Sequence, residues 1–200
     1  PLYPGQNSGN TDGYFGTRIA GGYGKSGEAP YLFYDEESDY YYLYVTYGWL
    51  GVDGGYHIRL YRSSTIDGNY QDAAGNSAVF GNYDFSSFDG VGYKSGGHNS
   101  VFRDTDGQRY LVYHTRFNNG TDYHEVRVHQ QFLNQDGWPV TAVYEYLGSQ
   151  ISPTGYSLSD MAGTYELVNH GTDASTANVG MLDTQRVSLN PDGTITGAYN

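Results

Sequence analysis

Glu28-Ala29-Pro30-Tyr31-Leu32-Phe33, Tyr42-Leu43-Tyr44-Val45-Thr46-Tyr47 and His57-Ile58-Arg59-Leu60-Tyr61-Arg62 follow one another along the chain. A second set answers them: His98-Asn99-Ser100-Val101-Phe102-Arg103, Tyr110-Leu111-Val112-Tyr113-His114-Thr115 and Glu125-Val126-Arg127-Val128-His129-Gln130. The copies stand 70 positions apart at Glu28/His98 and 68 apart at Tyr42/Tyr110 and Arg59/Arg127, so the register survives through three successive segments. This alignment places Glu28 and His98 at equivalent positions, one a carboxylic acid and the other an imidazole.

Working outward, each segment is short, Tyr-rich and bounded by turn residues, the pattern of half-buried strands. Strands are expected over residues 31–34, 40–47 and 56–63 in the first unit, and over 100–103, 109–115, 124–132 and 142–146 in the second. Asp35-Glu36-Glu37-Ser38-Asp39, Asp53-Gly54-Gly55, Asp104-Thr105-Asp106-Gly107 and Asn118-Asn119-Gly120 supply the turns. Three or four antiparallel strands per repeat is the make-up of a propeller blade. Two blades alone leave lateral apolar faces and strand edges uncovered, so further structure is expected to cover them. Residues 1–27 lack periodicity and read as loop, with one short strand around 17–20.

The chain is all-β in composition as well. Its 38% hydrophobic content is modest, but 23 Tyr and 29 Gly provide amphipathic strand residues and turns. The expected division is a partial propeller over 1–150, a linker over 151–158, and the start of a second β domain over 159–200. There, residues 163–169 and 185–189 read as strands and Pro191-Asp192-Gly193-Thr194 as a hairpin turn. Ten basic against 22 acidic residues give a net charge of −12. Such a surface argues against a nucleic-acid partner and favours a neutral ligand. No apolar run approaches the roughly 18 residues of a membrane span. With no Cys there are no disulfides or thiolate metal sites. Beginning at Pro1 with no leader, the chain reads as processed or as part of a longer one.

Several motifs together resemble the two-domain endo-1,5-α-L-arabinanases of glycoside hydrolase family 43. They are Gly27-Glu28-Ala29-Pro30-Tyr31 before a Tyr-rich strand, Gly97-His98-Asn99-Ser100-Val101, His114-Thr115-Arg116-Phe117, and the run from His124 through Gln130 to Asp136-Gly137-Trp138-Pro139-Val140. Leu167-Val168-Asn169-His170-Gly171 and Asp192-Gly193-Thr194-Ile195-Thr196-Gly197 resemble the opening of the β-barrel domain that follows the propeller in those enzymes. The resemblance implies the later blades of a five-bladed β-propeller followed by the beginning of a C-terminal β-barrel. It also implies a secreted enzyme that hydrolyses α-1,5-linked arabinan with inversion. Of the family's three carboxylates, Glu28 corresponds to the general acid, while the base and the pKa-tuning aspartate are expected in an upstream, N-terminal part of the protein.

Inversion requires a proton donor at the leaving oxygen and a carboxylate about 6.5–9.5 Å away that seats a water. One Glu cannot serve both roles. The resemblance further implies that His98 contacts calcium or a similar divalent ion on the propeller axis, mostly coordinated by water. Hard cations prefer oxygen, so a shell rich in water is what makes an imidazole contact chemically reasonable. The other reading of His98 is a hydrogen-bonded histidine at a strand start. His114, His124 and His129 read as structural. Gly27, with the preceding glycines, is placed to let substrate approach. Tyr47 and Trp49 are candidates for stacking on sugar rings, blade packing being the other use of each. Arg127 shares a repeat position with Arg59, which favours a scaffold role, hydrogen bonding to sugar hydroxyls being its other use. Trp138 reads as core. Two other functional classes remain open: a non-catalytic carbohydrate-binding propeller, and a family 43 arabinofuranosidase or xylosidase.

Overall fold

The computed structural model describes residues 17–21, 27–51, 54–79, 84–85, 93–117, 119–142, 144–148, 155–167 and 184–197. Eleven strands and one short helix occur among them. Strands β1 (Glu28–Asp35), β2 (Tyr40–Tyr47), β3 (His57–Ser63) and β4 (Asp84–Phe85) form one antiparallel sheet in chain order. A second sheet of the same order contains β5 (Tyr93–Arg103), β6 (Arg109–Phe117), β7 (His124–Leu133) and β8 (Pro139–Thr141). These are two consecutive four-stranded propeller blades, as the repeat predicts. Ser157 then caps helix α1 (Leu158–Met161) in a capping box with Asp160. Strands β9 (Gly163–Leu167), β10 (Gln185–Leu189) and β11 (Ile195–Gly197) form a separate three-stranded sheet. Its β10–β11 turn is closed by the Asn190 amide donating to the Thr194 carbonyl, with Gly193 at φ 83°.

Three local readings are corrected. Residues 17–20 form no strand; the backbone there makes a single parallel bridge, Gly21 to Val79. β4 carried no alternation signal because it is two residues long, pairing only with Arg59 and Leu60. The outer strand of the second blade is Pro139–Thr141 rather than 142–146. Proline lacks an N–H, yet it is tolerated as the first residue of an edge strand, where β8 lies. Beyond it the chain still follows β7, the Ala142 and Tyr146 amides donating to the Gln130 and Val128 carbonyls. Of the expected 151–158 linker, residues 151–154 lie outside the described residues.

The blades are joined by an aromatic and aliphatic core. Tyr42, Tyr44, Ile58 and Leu60 of the first blade pack against Val101, Leu111, Tyr113 and Trp138 of the second. The opposite face of β2 is buried as well, Leu43, Val45 and Tyr47 lying with Tyr61, Tyr70 and Ala78. So β2 is covered on both sides, as expected of a strand inside a stack of blades. The phenols in the joint stay satisfied: Tyr31 donates to the Val101 carbonyl at 2.7 Å, and Tyr42 donates to the Gly137 carbonyl. Arg62 is sandwiched between Tyr40 and Trp138, its guanidinium carbon 4.3 and 4.2 Å from the two ring centroids.

At one rim the joint is ionic. Arg109 Nε and Nη2 donate to Asp35 at 2.9 and 2.6 Å, and Nη2 also reaches Glu37 at 2.8 Å. Burial by itself would raise the Asp35 carboxyl, but hydrogen bonds from Arg109 and Ser38 outweigh it and hold the carboxyl below its ordinary value. Breaking such a buried pair by removing one partner costs about 3–5 kcal/mol, because the other charge is left without a partner.

His129 lies inside the second blade, with Nδ1 2.8 Å from the Ala142 carbonyl and Nε2 3.2 Å from the Tyr113 hydroxyl. Burial holds its pKa below the ordinary histidine value, so the folded state keeps it neutral, Nδ1–H donating and Nε2 accepting. Below about pH 6.5 the unfolded chain binds the extra proton and the folded chain does not, so stability falls as the solution is acidified through that range. Asp35 contributes only at lower pH, as its carboxyl protonates. Denaturant titrations at pH 7 and pH 5 should therefore show lower stability at pH 5, with a smaller difference in His129→Gln. An equal difference in the variant would remove His129 as its source.

Candidate active site

The site lies at the end of the blades where β1 begins, β2 ends and β3 begins. Tyr56, one residue before β3, is buried, and its phenol donates to Glu28 Oε1. Burial first, and then that hydrogen bond, push the Tyr56 hydroxyl well above its usual range, so it keeps its proton and remains a donor to the Glu28 side chain. Its ring stacks on His114 with centroids 5.6 Å apart and planes inclined by 25°. His114 in turn lies 6.3 Å from His98 and 5.4 Å from His124, ring centre to ring centre. Burial, reinforced by the neighbouring histidines and Arg116, lowers the His114 pKa and keeps that ring neutral.

The turn carrying Tyr56 is pinned from both sides. His57 Nδ1 lies 2.6 Å from the Gly55 carbonyl, and its Nε2 accepts from Arg59 Nε at 2.8 Å. On the other blade, Gly97 packs directly against this turn. A Cβ at Gly97 would lie 2.2 Å from Tyr56 Cε1 and 2.6 Å from Thr46 Cγ2, so only glycine admits the Tyr56 ring. The next residue, His98, is held at φ 54° with its amide donating to Thr46 Oγ1 at 2.8 Å.

The structure refines the equivalence read from the repeat. Tyr31 pairs with Tyr44 and Glu28 with Thr46; Ser100 pairs with Val112 and Gly97 with His114. Tyr44/Val112 and Thr46/His114 each stand 68 apart, which makes Gly97, and not His98, the counterpart of Glu28. His98 corresponds instead to Ala29. Both occupy the bulge of their strand, and both have positive φ, 54° and 48°. The acid and the imidazole thus project from adjacent repeat positions in neighbouring blades, one on the ladder and one on the bulge.

Other candidates separate cleanly. Tyr47 is 4% exposed, with Arg59 stacked 4.3 Å over its ring, so its face is closed to a sugar. Gly27 serves the fold: a Cβ there would come within 2.5 Å of Val45 Cγ1, so its bareness lets β1 approach β2. Arg127 is buried and its guanidinium pairs with Glu125 and Glu145, the latter at 2.9 Å, with Phe117 beneath it. It braces strands and does not present itself to a ligand. Trp49, by contrast, is 77% exposed in the turn just before Tyr56. His98 and Glu28 are exposed as well.

Residues 8–139 match the family model described as glycosyl hydrolases family 43, and residues 143–200 match the C-terminal lipocalin-like domain that accompanies it. The chain belongs to glycosyl hydrolases family 43. It is 39% identical to the extracellular endo-α-(1→5)-L-arabinanase 2 of Bacillus subtilis over 208 residues, covering 92% of this chain and 43% of the relative. The crystal structure of endo-1,5-α-L-arabinanase from Thermotoga petrophila RKU-1 superposes with a TM-score of 0.80 at 36% identity, over 92% of this chain and 44% of that one. A structure of Cellvibrio cellulosa α-L-arabinanase complexed with arabinohexaose matches 58% of this chain and 36% of its own, at 27% identity and a TM-score of 0.53. The chain thus spans less than half the length of the curated relatives it matches.

Within this family 43 chain, the sequence singles out Glu28 and His98 but not Tyr56, which the structure places against Glu28, and it assigns His114 and His124 to structure alone. The signal for Tyr56 was present in its position between a Gly-Gly turn and a strand, but the hydrogen bond to Glu28 spans 28 residues and crosses the sheet. Asn99 is a further group of interest: buried beside His98, it has neither amide atom hydrogen-bonded among the described residues, and neither is His114 Nδ1. Among those residues no three His, Asp or Glu side chains gather as a ready metal cage.

Gly97→Ala should force the Tyr56 ring aside and destabilise the protein by about 1–3 kcal/mol, the usual cost of overpacking. Tyrosine-selective hydrogen exchange or a thermal melt would check it. An unchanged melting temperature would mean that the close blade contact at this point is not maintained.

Proposed function

We propose that this chain supplies the general acid of an inverting endo-arabinanase acting on α-1,5-linked arabinan or arabino-oligosaccharides. The observation that carries the reading is Glu28: an exposed carboxyl at the start of a blade strand, fixed by the buried Tyr56 phenol. Two named relatives support the substrate, one an endo-α-(1→5)-L-arabinanase and one crystallised with arabinohexaose. The extracellular relatives' names support a secreted protein.

In the step assigned to Glu28, its proton passes to the departing glycosidic oxygen as the bond from that oxygen to the anomeric carbon breaks. A water attacks the same carbon from the opposite face and gives its proton to a second carboxylate, which inverts the configuration. That base and the aspartate that tunes the acid are assigned to the N-terminal part of the same protein, whose blades would complete the ring. Tyr56 fixes the carboxyl's position, and the neutral His114 ring fixes Tyr56.

A calcium-like ion on the axis fits the residues present if water makes up most of its shell. His98 is the protein group assigned to it. The orphaned Asn99 amide and His114 Nδ1 are suited to partner the surrounding waters, an arrangement that does not require a cage of protein ligands. Bound there, the ion would add positive charge near the reacting sugar. Chelation and calcium re-addition should lower and restore the melting temperature of the full-length protein but leave His98→Ala indifferent; an equal response in both would reject His98.

The direct test is the full-length protein assayed on linear arabinan. Glu28→Gln should lower kcat by at least a thousandfold while the protein still folds, and Tyr56→Phe should lower it about tenfold with little change in KM. A Glu28→Gln enzyme as fast as the parent would overturn the assignment.

A further inference from the structure

A further exposed aromatic at this end of the blades is Tyr123, 73% exposed just before β7 and next to His124. It belongs to a different blade from Trp49, yet a single buried side chain holds the two turns together. Arg116, on β6, donates from Nε to the Leu50 carbonyl and from Nη1 to the Asp122 carbonyl. Leu50 follows Trp49, and Asp122 precedes Tyr123. One guanidinium therefore sets the spacing of the two backbone segments that carry these exposed residues. With 3.8 Å between successive Cα atoms, their backbones fall within roughly 15 Å of each other.

Both turns are braced further. Ser95 Oγ donates to the Gly51 carbonyl at 3.0 Å, the Trp49 amide donates to Gly54 at 2.9 Å, and the Phe117 amide donates to Tyr123 at 3.2 Å. Asp122 Oδ1 adds an ion pair to Arg116 at 3.5 Å. These bonds order the backbone that carries the indole and the phenol, while the rings themselves stay exposed to solvent. Exposed aromatic faces on turns whose backbone is already ordered lower the cost of gripping a ligand with flat C–H faces.

We infer that Trp49 and Tyr123 form a paired saccharide platform, spaced by Arg116, that grips an arabinan chain beyond the bond being cleaved. The inference rests on the arabinanase reading of the site and deepens it, for the platform selects long chains over short ones. Neutral pentose rings suit it, since the chain's net charge of −12 disfavours an anionic polymer. Trp49 and Tyr123 contact the ligand; Arg116 is a positioning residue.

The test uses full-length protein carrying Glu28→Gln, so that ligands survive, with binding of arabinobiose and arabinohexaose measured by calorimetry. Trp49→Ala and Tyr123→Ala should each weaken hexaose binding by ~3–10-fold and leave biose nearly unchanged, the range expected for loss of one aromatic contact. Arg116→Lys, which keeps the charge but loses the forked geometry, should lose the preference for hexaose about as far as the double aromatic variant. Unchanged hexaose affinity in either aromatic variant overturns the platform, and an unchanged preference in Arg116→Lys overturns its spacing role. If the parent binds neither oligosaccharide, the arabinanase reading itself fails, and the platform with it.

Discussion

The contact between the two blades governs the rest of this structure. Tyr42, Tyr44, Ile58 and Leu60 meet Val101, Leu111, Tyr113 and Trp138 in a packed joint, and Glu28, Tyr56, His98 and His114 lie together at one end of the blades. Where the joint reaches that end, the residues shrink to Gly97 and Thr46, and the Tyr56 ring enters the space a larger side chain would fill. Tyr56 is thereby fixed against His114 on one side and Glu28 on the other. The position of the carboxyl thus follows from packing between sheets rather than from the strand that carries it. Interiors are close-packed, so a shift of one methyl group in the joint is felt at the site.

This explains which features were legible in the sequence. Strands β2, β3, β6 and β7 could be read because Tyr and aliphatic residues recur along them between Asp/Gly turns, a local signal. Glu28 and His98 were legible through the motifs around them. The one-residue difference that makes Gly97 the counterpart of Glu28 was not, because a bulge leaves no compositional mark when the residue on it is Ala or His instead of Gly. Tyr47 and Trp49 look alike as aromatic residues near a turn. Only the fold separates them, burying one under Arg59 and exposing the other. The clamp of Arg116 on Leu50, 66 positions away, is likewise a product of blade stacking and has no local trace.

The arginines show how one residue type is divided among roles by its surroundings. Arg59 and Arg127 share a repeat position and both lie over an aromatic ring, Tyr47 and Phe117. Arg109 closes the far rim of the joint through Asp35, and Arg62 fills the gap between Tyr40 and Trp138. All four hold blades or strands in register. In a fold rich in tyrosine and poor in aliphatic bulk, planar cations that stack as well as hydrogen-bond are efficient fillers. With these groups committed to the scaffold, the exposed Glu28 is held instead by a phenol.

Whether Glu28 acts as the proton donor is measured most directly by leaving-group dependence. The full-length Glu28→Gln protein should be compared with its parent on aryl α-L-arabinobiosides whose phenols span a range of acidity. If Glu28 protonates the leaving oxygen, the variant should fall far behind on poor leaving groups and approach the parent on 2,4-dinitrophenolate, which departs without a proton. A deficit equally large on every aryl glycoside, or none on any, would contradict that role.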